Sequence, residues 1–247
     1  MDSYSRFALF YDGLTQNVDY AARCEYFLGL LGRFGHSAGK TLDLACGTGS
    51  LTLELFKKGV DVFGVDLSED MLCAASSKAA ESGCGVLFVC QPMQKLRLPY
   101  KIDTCICALD SINHLTKGAD VLKTFKSVSA NMNKGGVFIF DVNTPYKHRE
   151  VLANNTFVSE NEDVFCVWQY TLLEENLVQI DLDFFEYQGG DSFLPSSESF
   201  CERAYKYDEI TEMLGLAGFE LLGCYGDMSA NPPSEKEQRA VYAARKI

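Results

Sequence analysis

From Thr41 to about Val142 the chain alternates short apolar runs with stretches of helical period. Thr41 to Cys46 (TLDLAC) reads as a strand running into a glycine-rich turn. Ser50 to Lys58 follows as a helix, with Leu51, Leu55 and Phe56 on one face and Gly59 to stop it. Asp61 to Asp66 (DVFGVD) is a second strand, after which Ser68 caps a helix to about Glu81 with Glu69 and Asp70 in its first turn, where the helix dipole favours anions. Val86 to Cys90, Thr104 to Leu109 and Val137 to Val142 extend the strand series, the last two separated by a helix around Val121 to Met132. Continuous apolar strands alternating with helices predict an α/β domain whose parallel sheet is covered on both faces.

Two segments break that rhythm. Between about Thr156 and Tyr205 the apolar positions alternate, with Val164, Cys166, Trp168, Tyr170 and Leu172 set opposite Ile180, Leu182 and Phe184 across Glu174-Glu175-Asn176. This predicts a small antiparallel β insert, residues 156–205, too short for an independent core and therefore packed on the parent sheet, either as a lid on the acceptor side or as a structural or dimerising sheet with no substrate contact. At the C-terminus, Tyr207 to Leu216 reads as a helix, and Phe219 to Tyr225 and Ala240 to Arg245 as strands separated by Asn231-Pro232-Pro233, able to pair antiparallel at one end of the sheet.

Composition narrows the function classes. At 247 residues the chain is sized for one domain, 1–247, and no apolar stretch approaches the roughly 20 residues of a membrane helix. The N-terminus lacks the flanks of a secretory signal, so a cytoplasmic protein is expected. The ten cysteines are scattered without a C-x-x-C pair and read as reduced core residues, and three distant histidines offer no zinc spacing, so no metal is expected. A net charge of −12 argues against broad contact with nucleic-acid phosphates and favours a small-molecule partner. Nothing in the sequence indicates an oligomeric state.

The chemistry concentrates at Leu42-Asp43-Leu44-Ala45-Cys46-Gly47-Thr48-Gly49-Ser50. Glycines there let the main chain turn sharply and approach a ligand, and the following helix N-terminus offers unpaired N–H groups. Asp66 ends the next strand beside this turn, placed to accept from a ribose diol. Dinucleotides and S-adenosylmethionine both use such a site. A dehydrogenase fingerprint needs a third glycine, which is missing here, so an NAD-type oxidoreductase is the weaker reading. An acid before a tight A-x-G-x-G instead resembles motif I of class I S-adenosylmethionine-dependent methyltransferases, with Ala45 in place of the first glycine. The segments Tyr11 to Thr15, Asn17 to Tyr20, Leu42 to Gly49, Val65 to Leu72, Phe138 to Pro145 and Asn154 to Phe157 together resemble the bacterial YqeM-like group of that class.

This resemblance implies a Rossmann-like seven-stranded methyltransferase sheet with one reversed C-terminal strand, and S-adenosylmethionine as cofactor. It assigns the backbone of Ala45, Cys46 and Gly47 in the motif from Asp43 to Gly49 to the methionine portion, Asp66 to the ribose, Leu67 and Met71 to the adenine faces, and the Met93 N–H to the ring. Where relatives carry an acid before that methionine, this chain has Pro92, so adenine recognition is either weaker or supplied by another group, Gln91 being the candidate. Leu109 and Asp110 follow the fourth strand, where the ligand crevice of an open sheet lies. Asp110-Ser111-Ile112-Asn113-His114-Leu115 is similar to the S-I-G-H-L stretch of sugar amine methyltransferases, which makes His114 the candidate base. A loop-packing role for His114 stays open beside it. Tyr11 and Tyr20, in an N-terminal helical cap spanning 1–35, resemble tyrosines that close over the cofactor. His148 and Trp168 read as ordinary loop and core residues. The expected function is methyl transfer to a nitrogen or oxygen nucleophile of a small molecule, with a catalytically silent cofactor-binding sensor or scaffold as the alternative.

Overall fold

The computed structural model describes residues 5–190 and 192–247. The chain runs α1 (Ser5–Leu14), α2 (Tyr20–Arg33), β1 (Lys40–Leu44), α3 (Ser50–Lys57), β2 (Asp61–Asp66), α4 (Glu69–Glu81), β3 (Phe88–Cys90), β4 (Ile102–Cys107), α5 (Gly118–Asn131) and β5 (Met132–Asn143). It continues with the insert strands β6 (Thr156–Glu160), β7 (Val164–Glu174), β8 (Leu177–Tyr187) and β9 (Phe193–Arg203), then α6 (Tyr207–Leu216), β10 (Phe219–Gly226) and β11 (Arg239–Lys246). The main sheet has seven strands in the order β10-β11-β5-β4-β1-β2-β3. Strands β1 to β5 pair in parallel, and β11 is antiparallel to both of its neighbours. The expected architecture is therefore present, with the reversal at β11. The first four residues of the N-terminal segment expected as a helical cap lie outside the described residues.

Apolar runs become buried strands because helices cover both faces. One cluster gathers Leu42, Leu44, Phe125, Phe138 and Phe140 under α5 and α6; a second gathers Phe27, Leu31, Leu51, Leu55, Ile106 and Ile139 under α2 and α3. Strand ends differ from the pattern-based bounds where the backbone turns left-handed. Strand β1 stops at Leu44, not Cys46, because Ala45 has φ +56°, and β4 stops at Cys107, not Leu109, because Leu109 (φ +56°) and Asp110 (φ +55°) leave the sheet. Strand β5 starts five residues earlier than the apolar run, at Met132, since that residue pairs with Ile102 across the polar Asn133-Lys134-Gly135-Gly136 stretch.

The insert forms a separate four-stranded sheet, β6-β7-β8-β9, with Cys166 opposite Phe184, Trp168 opposite Leu182 and Tyr170 opposite Ile180. Its inner face shares a core with the parent fold, as Val164, Cys166, Val178, Ile180, Leu182 and Phe184 pack with Ala8 and Leu14 of α1 and Met71 of α4. Among the described residues no helix is long and apolar enough to cross a membrane.

The Phe88 ring of β3 fills the space beside two glycines. A Cβ at Gly64 would lie 2.6 Å from Phe88 Cδ1 and 2.7 Å from Cys46 Sγ, and one at Gly49 would lie 2.9 Å from Phe88 Cζ. Gly64→Ala is therefore expected to destabilise the protein by about 1–3 kcal/mol through overpacking. The readout is a lowered urea midpoint with an unchanged m-value.

Candidate active site

A cavity of about 880 Å³ opens at the carboxyl ends of the parallel strands and continues to the inner wall of the insert. One half of it is built at the end of β1. Asp43 is buried on that strand and accepts a 2.5 Å hydrogen bond from Thr52 Oγ1 of α3, which ties strand to helix across the glycine turn. Asp66, at the end of β2, accepts from Gly47 N through Oδ2 (2.8 Å) and from Ser68 N through Oδ1 (2.9 Å). One carboxylate thus holds both the glycine turn and the start of α4, where Ser68 Oγ in turn accepts from Met71 N.

Helix α1 is fastened over this turn. Lys78 Nζ donates to Asp12 Oδ2 (2.6 Å), Ser50 Oγ (2.8 Å) and Thr48 Oγ1 (3.0 Å), and Thr48 Oγ1 donates to Asp12 Oδ1 (2.6 Å). Tyr11 and Tyr20 lie side by side at the cavity, and burial pushes both phenols up, so they stay protonated.

The opposite wall starts where β4 ends. Asp141, fully buried on β5, accepts from Leu109 N (2.9 Å) and Asp110 N (2.7 Å) and so fixes their left-handed backbone. Arg239 of β11 donates to Asp141 and, at 2.6 Å, pairs with Asp110 Oδ1. Burial works against ionising Asp110, but the Arg239 guanidinium, with Lys147 and His114 behind it, outweighs that cost and holds the carboxyl well below the usual range. A single 3-10 turn, Ser111–His114, then carries His114 to the cavity, 3.6 Å from Glu202 Oε1 and with its ring centroid 5.2 Å from that of Phe200.

The cavity brings together Tyr11, Tyr20, Asp43, Ala45, Cys46, Gly47, Asp66, Leu67, Met71, Met93, Leu109, Asp110 and His114. Gly49 is not part of its lining. It starts α3 in a left-handed conformation (φ +75°) against Phe88 and Ala75, so its lack of a Cβ serves packing. Gln91 lines the cavity, but its amide is spent on Arg97: Oε1 accepts from Arg97 N (2.8 Å) and Nε2 donates to Arg97 O (3.3 Å). The group expected to compensate for Pro92 is thus bonded elsewhere. Trp168, read from sequence as a core residue, lines the cavity with Tyr170 and Phe200, and His148, read as a loop residue, is fully buried. Sequence reasoning missed Arg239, Asp141, Asn143 and Glu202. Only Asp141, at the end of the FIFD run, carried a local signal, an acid inside an apolar strand.

The residues present fit S-adenosylmethionine. Gly47 (φ +52°) has open space where a side chain would stand, so its backbone is available to a ligand. Leu67 is 68% exposed at the cavity rim, an apolar surface that a stacked ring would cover.

Fold and turn together define a Rossmann-like methyltransferase of the S-adenosylmethionine-dependent class, and comparison with known proteins agrees. Residues 41–136 match the family model described as a methyltransferase domain. The chain is 33% identical over 245 residues to the putative methyltransferase YqeM of Bacillus subtilis, covering 98% of this chain and 97% of that one. Among solved structures, a S-adenosylmethionine-dependent methyltransferase from Clostridium acetobutylicum superposes with a TM-score of 0.88 at 34% identity, covering 98% of each chain. The sugar N-methyltransferase KedS8 from Streptoalloteichus shares the fold at 21% identity, with a TM-score of 0.80 over 98% of this chain and 93% of that one. The protein belongs to the YqeM family of methyltransferases and uses S-adenosylmethionine; it is an enzyme, and the dehydrogenase reading falls away.

Burial pushes the Asp43 carboxyl up from 3.8 to about 7, against the Thr52 hydrogen bond and with the Asp66 charge adding to the rise. Because the folded state holds this proton between those values while the unfolded chain releases it, the contribution of Asp43 to stability falls as pH rises through that window. The slope is at most ~1.4 kcal/mol per pH unit. Urea midpoints taken between about pH 5.5 and 7 should fall more steeply for the native protein than for Asp43→Asn, which has no such proton.

Proposed function

We propose that the protein transfers a methyl group to a nitrogen or oxygen nucleophile of a small-molecule acceptor held between the β4 turn and the insert. The observation that carries this reading is the continuity of the cavity: the surface that contains Gly47 and Asp66 also contains His114, Trp168, Tyr170 and Phe200. Its volume falls within the range of small-molecule sites. KedS8, which has the same fold, is named for a sugar N-methyltransferase activity, in keeping with an acceptor of this size.

In this reading Asp66 accepts from the ribose hydroxyls with the lone pairs left over from its two backbone bonds. Leu67 and Met71 flank the adenine, Met93 meets its edge through the backbone, and the Ala45–Gly47 turn faces the methionine portion. The sulfonium supplies an activated methyl group whose leaving group departs as a neutral thioether. The chain's own contribution is alignment, exclusion of water and removal of one proton, and alignment alone is worth several powers of ten in rate. Tyr11 and Tyr20, kept neutral by burial, close the cofactor side and present π faces and hydroxyls to positive charge. The insert forms the lid over the acceptor. The His114 ring takes the proton from the acceptor's N–H or O–H as the acceptor's lone pair forms the new bond to carbon.

Calorimetric titration tests the cofactor assignment. S-adenosylmethionine and S-adenosylhomocysteine should bind saturably and NAD should not, with Asp66→Ala weakening S-adenosylhomocysteine by about tenfold or more as the turn loses its anchor. Absence of saturable binding by either sulfur ligand would overturn it. Methyl release over an acceptor panel then tests the base. His114→Ala should lower kcat by roughly 10²–10⁴ for a hydroxyl acceptor and by less for an amine that arrives deprotonated; unchanged turnover of every acceptor leaves His114 a packing residue.

A further inference from the structure

The acceptor half of the cavity contains a buried carboxylate that no lysine or arginine of the described residues contacts. Glu202 lies on β9, opposite Val178 of β8, is only 5% exposed, and lines the cavity. Other acids around the site are answered by the protein itself: Asp110 and Asp141 by Arg239, Asp43 by Thr52, and Asp66 by two backbone amides. Glu202 receives a single hydrogen bond, from Asn143 Nδ2 to Oε2 at 3.3 Å. Its nearest ionisable neighbours are imidazoles beyond hydrogen-bond distance, His148 Nε2 at 3.7 Å from Oε2 and His114 Nε2 at 3.6 Å from Oε1. Among the described residues no lysine or arginine lies within 4.0 Å of its carboxylate, and the nearby Lys147 Nζ donates instead to Asn143 Oδ1 at 2.9 Å.

A carboxylate of this kind is costly to bury without a positive partner, and one that ends a cavity wall can take that partner from the ligand. The two oxygens are not equivalent. Oε2 is held from behind by Asn143 and faces the buried His148, whereas Oε1 points to the side of His114, whose side chain is one-third exposed. The surroundings suit a cation with an apolar body: Trp168, Tyr170 and Phe200 line the same wall, and aromatic faces attract positive charge. Burial, reinforced by the Glu202 charge, also pushes the Tyr170 phenol up, so this ring faces the cavity as a neutral phenol.

We propose that Glu202 is the acceptor-recognition residue of this enzyme and that the acceptor is an amine, bound by Glu202 through its ammonium group between Oε1 and His114. The proposal rests on the small-molecule methyltransferase reading above and selects nitrogen over oxygen. It places the ammonium beside the imidazole assigned to proton removal, so recognition and deprotonation occur at adjacent atoms.

The test uses two probes of nearly equal shape, cyclohexylamine and cyclohexanol, of which only the amine is cationic at neutral pH. Protein is first saturated with S-adenosylhomocysteine, with saturation verified by calorimetry, so that a failure of the cofactor assignment is detected separately and beforehand. Each probe is then titrated against the fluorescence of Trp168, the only tryptophan in the chain. The native protein should bind the amine at least about tenfold more tightly than the alcohol. Glu202→Gln should remove that preference while leaving the affinities for cyclohexanol and S-adenosylhomocysteine unchanged, and Glu202→Asp should restore part of it. Equal affinity of the two probes for the native protein, including no binding of either, overturns the proposal, as does a preference that survives in Glu202→Gln. The native comparison decides the matter alone if the glutamine variant does not fold.

Discussion

The site depends on how one buried carboxylate is satisfied. Asp141 sits in the middle of the sheet with no solvent exposure, and ionised acids are tolerated there only when donors surround them. Two of its donors are the consecutive amides of Leu109 and Asp110, which can point at one carboxylate because both residues adopt left-handed backbone. A third donor, Arg239, comes from the reversed strand β11, whose register sets Arg239 opposite Asn143. Arg23 of α2 lies 3.6 Å away and carries the network to Asp227 beyond β10. The left-handed turn at the end of β4, the Arg239 end of β11 and the segment leading to His114 are thus tied together at one buried carboxylate.

The Asp66 side of the cavity repeats this logic with different parts. Asp66 gathers the amides of Gly47 and Ser68, as Asp141 gathers those of Leu109 and Asp110, and a left-handed residue, Ala45, marks the end of the preceding strand. Non-glycine residues in that region cost on the order of 1 kcal/mol or more each, so the surrounding bonds must hold them in place. Three such residues at the ends of two adjacent parallel strands show where the fold stores strain. The return is a rigid cavity floor, which suits a reaction whose main demand on the protein is alignment.

The two walls of the cavity, the glycine turn and the insert, are mechanically joined. Met71 belongs both to the cavity lining and to the core beneath the insert, and α1 packs into that same core while Asp12 and Lys78 fasten it to the glycine turn. A displacement of α1 therefore disturbs both ends of the cavity together. The insert has no core of its own apart from this shared one, which is why some fifty residues can form a stable four-stranded sheet here.

Local pattern determined the elements. Apolar runs of strand length, Ser68 as a cap and the glycine turn after β1 located the parallel sheet and the turn that lines its cavity from residues close together in the chain, because periodicity and turn chemistry are short-range properties. The alternation in 164–184 likewise gave the central hairpin of the insert. What tertiary structure decided are the long-range partnerships of charge. Arg239 reaches Asp110 across 129 positions, Asn113 bonds to the backbone of Asn143 and Arg203, and Glu202 arrives at the cavity beside Phe200 from the last strand of the insert. An isolated Arg or Glu in a strand of mixed polarity looks the same whether it ends in solvent or in a buried site. Only the strand order, the register and the resulting desolvation distinguish the two, and these belong to the folded molecule as a whole.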